Sequence, residues 1–258
     1  MKRSSKELKR LARENLTGHY NIPMGAFVVA GAITLAIELP FSMLQNPHNS
    51  PMQNIVFYIA EFLISLIGAV LSVGQIRIHL NMARKQPYEL KQLFYGFRNH
   101  SDRIILSALI LTVVTLITGI PSIIGTVLLR RELTTENALI FSCLALVSMI
   151  LSLLVGLFLQ LVYYLVLDNP DMSVIACFKK SCQLMKGQKG RLFYLLLSFI
   201  GMDILILLSL GIGSLWIMPY QMQTFALFYL DIIDGIPATN SSNGNPNPES
   251  NHSFNQYV

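Results

Sequence analysis

Residues 104–129 read IILSALILTVVTLITGIPSIIGTVLL, a run of 26 positions without a charged side chain. At 1.5 Å per residue, a helix of that length outreaches the roughly 30 Å hydrocarbon core of a bilayer. A barrel strand would be shorter and would alternate apolar with polar residues, and no such alternation runs through this stretch. Comparable runs lie on both sides of it. The sequence therefore predicts an all-α, polytopic transmembrane helical bundle of about six spans, near residues 24–44, 55–80, 104–129, 138–167, 192–212 and 216–233.

Composition supports this. Of 258 residues, 53% are hydrophobic and 13% charged, about half the roughly 25% charge of an average soluble protein. A soluble domain so made would lack the polar surface to cover itself. The net charge of +5 and pI of ≈ 9.1 do not point to nucleic acid, because the basic residues flank the apolar runs and lie on no soluble domain. They read as an orientation signal and an attraction to anionic lipid headgroups.

The last basic residue of the chain is Arg191, and the others fall in clusters. Lys2, Arg3, Lys6, Lys9, Arg10 and Arg13 precede the first span. Arg84, Lys85, Lys91, Arg98 and Arg103 lie between the second and third, and Lys179, Lys180, Lys186, Lys189 and Arg191 between the fourth and fifth. With Arg77, these are 17 of the 19 basic residues on one side, against Arg130 and Arg131 on the other. The bias predicts a cytoplasmic N-terminus and cytoplasmic large loops.

Each cluster coincides with an amphipathic segment expected to rest in the membrane interface. Residues 1–20 hold one helix, with Ser4-Ser5-Lys6-Glu7 as a capping box and Leu8, Leu11, Ala12 and Leu16 on one face. In the second, about 87–98, Pro87 suits a first helical turn and Leu90, Leu93, Phe94 and Phe97 recur at helical spacing. The third, about 172–186, sets Val174, Phe178, Ser181 and Met185 on one side. The unit of interfacial helix plus span is thus used three times within a bundle of residues 21–233.

The apolar start near Met24 lacks a small-x-small cleavage site after Ala36-Ile37-Glu38-Leu39-Pro40 and reads as a retained span. The cluster Asn46-Pro47-His48-Asn49-Ser50-Pro51 reads as a turn, Gly211 and Gly213 as a break, and the Asn-, Ser- and Pro-rich residues 234–258 as a disordered polar tail.

Charged groups inside spans cost about 2.5–3.5 kcal/mol at a helix centre, so they are candidates for function. Glu38 and Glu61, at similar depth in the outer leaflet, read as a cation or proton site or as carboxylates solvated at the interface. Asp203 lies deeper and is expected to pair with Gln160 or with Arg77 reaching inward. Asp168 and Asp171 beside Pro170 read as turn and cap residues. Ala26 with Ala30, and Gly68 with Ser72, match small-xxx-small packing. The candidate anionic-lipid contacts are Lys6, Lys9, Arg10, Arg13, Lys91, Arg98, Lys179, Lys180 and Lys186.

Three cysteines without CxxC spacing favour reduced thiols, and five scattered histidines form no metal-binding pattern. No nucleophile finds a base, so no catalytic residue, metal or cofactor is expected.

Several motifs together resemble one family. They are Arg3-Ser4-Ser5-Lys6-Glu7-Leu8-Lys9 with Leu16-Thr17-Gly18, the loop Leu93-Phe94-Tyr95-Gly96-Phe97, and Ser181 with Met185-Lys186-Gly187. Leu196-Leu197-Ser198-Phe199-Ile200-Gly201 and Leu215-Trp216-Ile217-Met218-Pro219-Tyr220, followed by Thr224, Ala226 and Phe228-Tyr229, complete the set. Over residues 3–233 the chain resembles a bacterial multi-pass membrane family known as domain of unknown function nine-seventy-five. The resemblance implies a bacterial cytoplasmic-membrane protein and brings no catalytic residue with it. The family carries a second aromatic where this chain has Met202-Asp203, so Asp203 inherits no role.

Two functions follow as expectations. The first is a non-enzymatic scaffold or accessory protein engaging anionic lipid, a membrane-protein partner or a second copy at the cytoplasmic face. The second is a small-solute or ion transporter using the intramembrane carboxylates.

Overall fold

A computed structural model describes residues 2–44, 51–132 and 134–233. Every regular element among them is helical. The turn expected at 46–51, apart from Pro51, and the tail expected at 234–258 lie outside the described residues. Five stretches are long and apolar enough to cross a membrane: Asn21–Met43, Val56–Ala83, Ser101–Arg130, Thr135–Asp168 and Lys189–Leu208.

The chain begins with α1, Ser5–Leu16. The Ser4 hydroxyl accepts from the Glu7 N–H at 3.3 Å, and Gly18 turns the chain out at φ +79°. Helices α2, Asn21–Leu44, and α3, Pro51–Ala83, are the first two spans. Ala26 and Ala30 of α2 are buried against Leu71 and Ile78 of α3, as expected of small residues at a close crossing. Gly68 has open space beside it and Ser72 is exposed, so that pair makes no helix contact.

The segment after α3 departs from the expected amphipathic helix. Pro87 starts no helix: it lies in an irregular lead-in, and its carbonyl accepts from Asn81 at 3.4 Å and Gln92 at 3.3 Å. A 3-10 turn, Leu90–Phe94, runs into the single helical turn α4, Tyr95–Arg98. Only Leu93 of the predicted stripe is buried, because its backbone lies directly on Gly74 of α3; a Cβ on Gly74 would overlap the Leu93 carbonyl.

Helices α5, Ser101–Arg131, and α6, Thr135–Leu159, form a long antiparallel hairpin. Pro121 interrupts the α5 ladder, and the next N–H, that of Ser122, donates to the Ser148 hydroxyl of α6 at 2.9 Å. Ser152 donates to Thr118 at 3.0 Å one turn further along. Elsewhere the hairpin presents Leu116, Ile117, Ile120, Leu146, Ile150 and Leu154 outward, the composition lipid requires.

Spans four and five are both broken near their basic ends. After α6 the chain slips at Gln160-Leu161 and resumes as α7, Val162–Asp168. Span five, expected to run unbroken from 192 to 212, divides into α9, Lys189–Leu197, and α10, Ile200–Leu208, then turns at residues 209–213 beside the predicted Gly211. Backbone carbonyls freed at such breaks need donors. Phe158 O receives the Ser181 hydroxyl of α8, Val174–Leu184, at 2.7 Å, and Ser198 O receives the Lys9 ammonium of α1 at 2.6 Å.

Helices α1 and α8 were expected to rest their apolar stripes on the membrane, but Leu8, Leu11, Ala12 and Leu16, and likewise Val174, Cys177, Ser181 and Met185, are buried in the bundle. Both helices plug broken spans, and the protein itself covers their stripes.

The last helix, α11, Ser214–Ile233, returns antiparallel to α9 and α10. It falls short of the five membrane-crossing stretches in apolarity, although its 20 residues approach the length of a span. It is the post around which the core forms. Tyr220, Gln223, Thr224, Phe228, Tyr229 and Asp231 are all buried, against α1, α3 and the start of α9. Asp231 meets Arg191 at 2.5 Å and the Arg3 backbone N–H at 3.2 Å, so α11 ends beside the start of the chain.

Candidate functional site

Three of the basic residues counted on the cytoplasmic side are half-buried and bonded within the protein. Arg84 grips Asp168 with both terminal nitrogens, at 2.8 and 2.5 Å, and the Tyr229 hydroxyl donates to the same carboxylate at 2.8 Å. Arg103 gathers the carbonyls of Asn169, Pro170 and Met172, closing the turn between α7 and α8. Arg191 bonds Asp231, the Gln188 side chain and the Arg3 carbonyl. Asp168 is thus more than a turn residue, since it joins α3, α7 and α11 in one ion-pair network.

The nine candidate lipid contacts lie at the surface. Lys6, Arg10, Arg13, Lys91, Arg98, Lys179 and Lys186 are exposed, while Lys9 and Lys180 are half-buried. Lys91 pairs with its neighbour Glu89 at 2.6 Å. Beside it Leu90, Phe94 and Phe97 are exposed, with the two phenyl rings 6.4 Å apart, so this predicted interfacial segment does keep its apolar side free.

On α1, positions 6, 9, 10 and 13 fall within about a 100° arc at 3.6 residues per turn. The face they form borders a cavity of ≈ 560 Å³ lined by Ser4, Lys6, Glu7, Lys9, Arg10, Arg13, Met202 of α10 and Tyr220 of α11. That is within the roughly 300–1,000 Å³ range of small-ligand sites. Lys9 is the floor: its ammonium lies 3.9 Å from the centroid of the Phe199 ring, its carbonyl accepts from the Tyr220 hydroxyl, and burial, then the nearby Arg13 charge, lowers its pKa against the pull of Asp203. Arg10 shares a 2.6 Å ion pair with Glu14. Among the described residues, the side chains of Lys6 and Arg13 have neither an ion-pair nor a hydrogen-bond partner.

The intramembrane candidates separate. Glu38 and Glu61 line one depression of ≈ 230 Å³ with Leu35, Phe41, Ser42 and Phe57. Asp203 does not join them, and neither Gln160 nor Arg77 is its partner. It accepts from Gln221 of α11 at 2.6 Å, because the break at Ser198-Phe199 turns it toward that helix and toward Lys9. Arg77 is stacked on the Tyr95 ring at 3.6 Å, and Gln160 sits at the break in span four.

One buried polar pair escaped the sequence reading: His79 of α3 meets Gln223 of α11 through Nδ1 and Oε1 at 2.9 Å. Polar residues in register on two apolar helices were its only available signal. The three cysteines are free thiols. Among the described residues, no three His, Cys, Asp or Glu side chains gather as metal ligands would.

The family model described as Protein of unknown function (DUF975) matches residues 1–235. The chain belongs to that family. Its match takes in every helix above, from the Ser4 cap of α1 to the end of α11, and so includes the α1 cavity and both carboxylate sites. Neither the curated proteins nor the solved structures yield a match.

Proposed function

We propose that this protein is a non-enzymatic scaffold or accessory protein of the bacterial cytoplasmic membrane, with its N-terminus in the cytoplasm. Its basic end engages anionic lipid, and through that surface a membrane-protein partner or a second copy. One observation carries the reading: after Arg84, Arg103 and Arg191 have found internal partners, a shell of exposed cations remains at the same end, on α1, on the Leu90–Arg98 segment and on α8. Each such cation adds about 1 kcal/mol of attraction at an anionic surface, screened over roughly 8–10 Å at physiological salt. The test is the lipid that co-purifies from native membranes. Enrichment of anionic over zwitterionic lipid, falling as salt rises and as Lys91, Arg98, Lys179, Lys180 and Lys186 are neutralised, is expected; an unchanged lipid profile in that variant removes the basis of the proposal.

A second reading, transport of a small solute or ion, draws on the Glu38 and Glu61 depression and on the two broken spans. Asp203 is engaged elsewhere with Gln221, so this reading rests on two carboxylates instead of three. Flux into liposomes that depends on Glu38 and Glu61 but not on Asp203 is its expected signature, and absence of flux removes it.

A further inference from the structure

We infer that the cavity between α1, α10 and α11 is a discrete site for one anionic phospholipid, its phosphate held by Lys6, Arg10 and Arg13 and its acyl chain laid along α10. The inference rests on the lipid-binding reading above and narrows it from a charged surface to a single pocket.

Three observations converge on it. Four cations on one face of a three-turn helix repel one another at every i, i+3 and i, i+4 spacing, and only Arg10, bonded to Glu14, has a carboxylate bridging at short range. Glu7, the one acid lining the cavity, pairs with Arg3 at 3.8 Å, which leaves four cations around it against a single carboxylate. A face so charged is completed by an anion, and guanidinium and ammonium groups together suit a phosphate. The second observation is the opposite wall, where Met202 gives an apolar edge that a free ion does not need.

The third is α10 itself. It has no buried residue, and Ile200, Ile204, Leu205, Leu207 and Leu208 are exposed along a helix that starts at the cavity and runs into the apolar region. Headgroup cations continuous with a bare aliphatic track describe a lipid: charge at the interface, hydrocarbon beyond it. Lys9 keeps a structural part, since its ammonium holds the Ser198 carbonyl.

The test uses the full chain in nanodiscs of phosphatidylcholine doped with phosphatidylglycerol, read by native mass spectrometry. Wild-type protein is expected to retain a single phosphatidylglycerol. The K6Q/R10Q/R13Q variant, altered only at exposed side chains and checked for an unchanged melting temperature, is expected to lose that retention at least about tenfold. The K179Q/K180Q/K186Q variant is expected to keep it. Equal loss in both variants overturns the site and leaves the general lipid reading standing, whereas no preference for phosphatidylglycerol over phosphatidylcholine in the wild type overturns both. Displacement of the lipid by inorganic phosphate, or equal binding of glycerophosphoglycerol without acyl chains, overturns the lipid in favour of a free anion.

Discussion

Helix α6 has 25 residues and buries two of them, Ser148 and Leu157, whereas α11 has 20 and buries ten, Gln223, Thr224 and Asp231 included. By hydropathy α6 belongs to the most apolar membrane-crossing stretch and α11 to none. In water the greasier helix is the one that hides. In lipid the hydrocarbon solvates leucine as well as a protein core does, so an apolar helix gains little by burial and a helix with polar side chains must find partners inside. The weakest of the six expected spans therefore marks the central helix.

The sharpest way to break this comparison is Asp231→Ala. It removes the carboxylate that Arg191 and the Arg3 backbone N–H both use, and leaves Arg191 uncompensated. Stripping one partner from a buried pair costs about 3–5 kcal/mol, and the 26% exposure of Arg191 holds this case to the lower end. The melting temperature in detergent should fall by far more than for Leu154→Ala on the lipid face of α6. Equal drops would show that burial does not separate the two helices.

Next in size is Gly74→Ala. The new Cβ meets the backbone of Leu93, which cannot rotate away as a side chain can, and about 2–3 kcal/mol of overpacking cost follows. Gly119→Ala in the α5 hairpin meets open space and should be neutral or slightly stabilising. The pair sharpens the contrast between a packed basic end and a lipid-facing hairpin, with thermal unfolding in detergent as the readout.

Much of the fold was legible because lipid imposes simple rules. Runs such as 104–129 declared their spans, the arginine and lysine clusters declared one end, and the Ser4 capping box declared the start of α1. What stayed hidden depended on which surface each stripe meets. Leu8, Leu11, Ala12 and Leu16 form the same pattern whether they lie on lipid or on α11, and periodicity does not distinguish the two. The breaks at Gln160-Leu161 and Ser198-Phe199 have no proline or glycine at the break itself, and their freed carbonyls are met from helices far away in sequence. The candidate site was half legible. Lys6, Arg10 and Arg13 stood out as a charged face, but Met202 and the bare side of α10 entered only when the broken span folded back beside α1.

A smaller effect probes one of the two polar contacts that tie the hairpin together. Ser148→Ala removes the acceptor for the Ser122 N–H, next to Pro121, which has no N–H of its own. A net hydrogen bond of this kind is worth about 1 kcal/mol. The variant should melt slightly early and speed amide exchange at Ser122, with residues of α11 unaffected. Faster exchange throughout α11 would mean that the hairpin and the central post unfold as one unit, against the division drawn above.

The smallest expected loss of stability belongs to Glu14→Ala, and it tests the cavity from its rim. The Arg10–Glu14 pair is solvent-exposed, with side chains 60% and 52% accessible, so its loss costs about 0.3–0.5 kcal/mol. That is near the limit of a melting curve, but the effect on binding has the opposite sign. Without Glu14 the Arg10 guanidinium keeps its charge and loses its nearest carboxylate, so phosphatidylglycerol retention should rise while stability barely moves. Arg10→Gln should lower retention with the same small stability change. If both substitutions lower retention, Glu14 positions Arg10 for the phosphate; if neither alters it, Arg10 faces solvent and the phosphate is held by Lys6 and Arg13 alone.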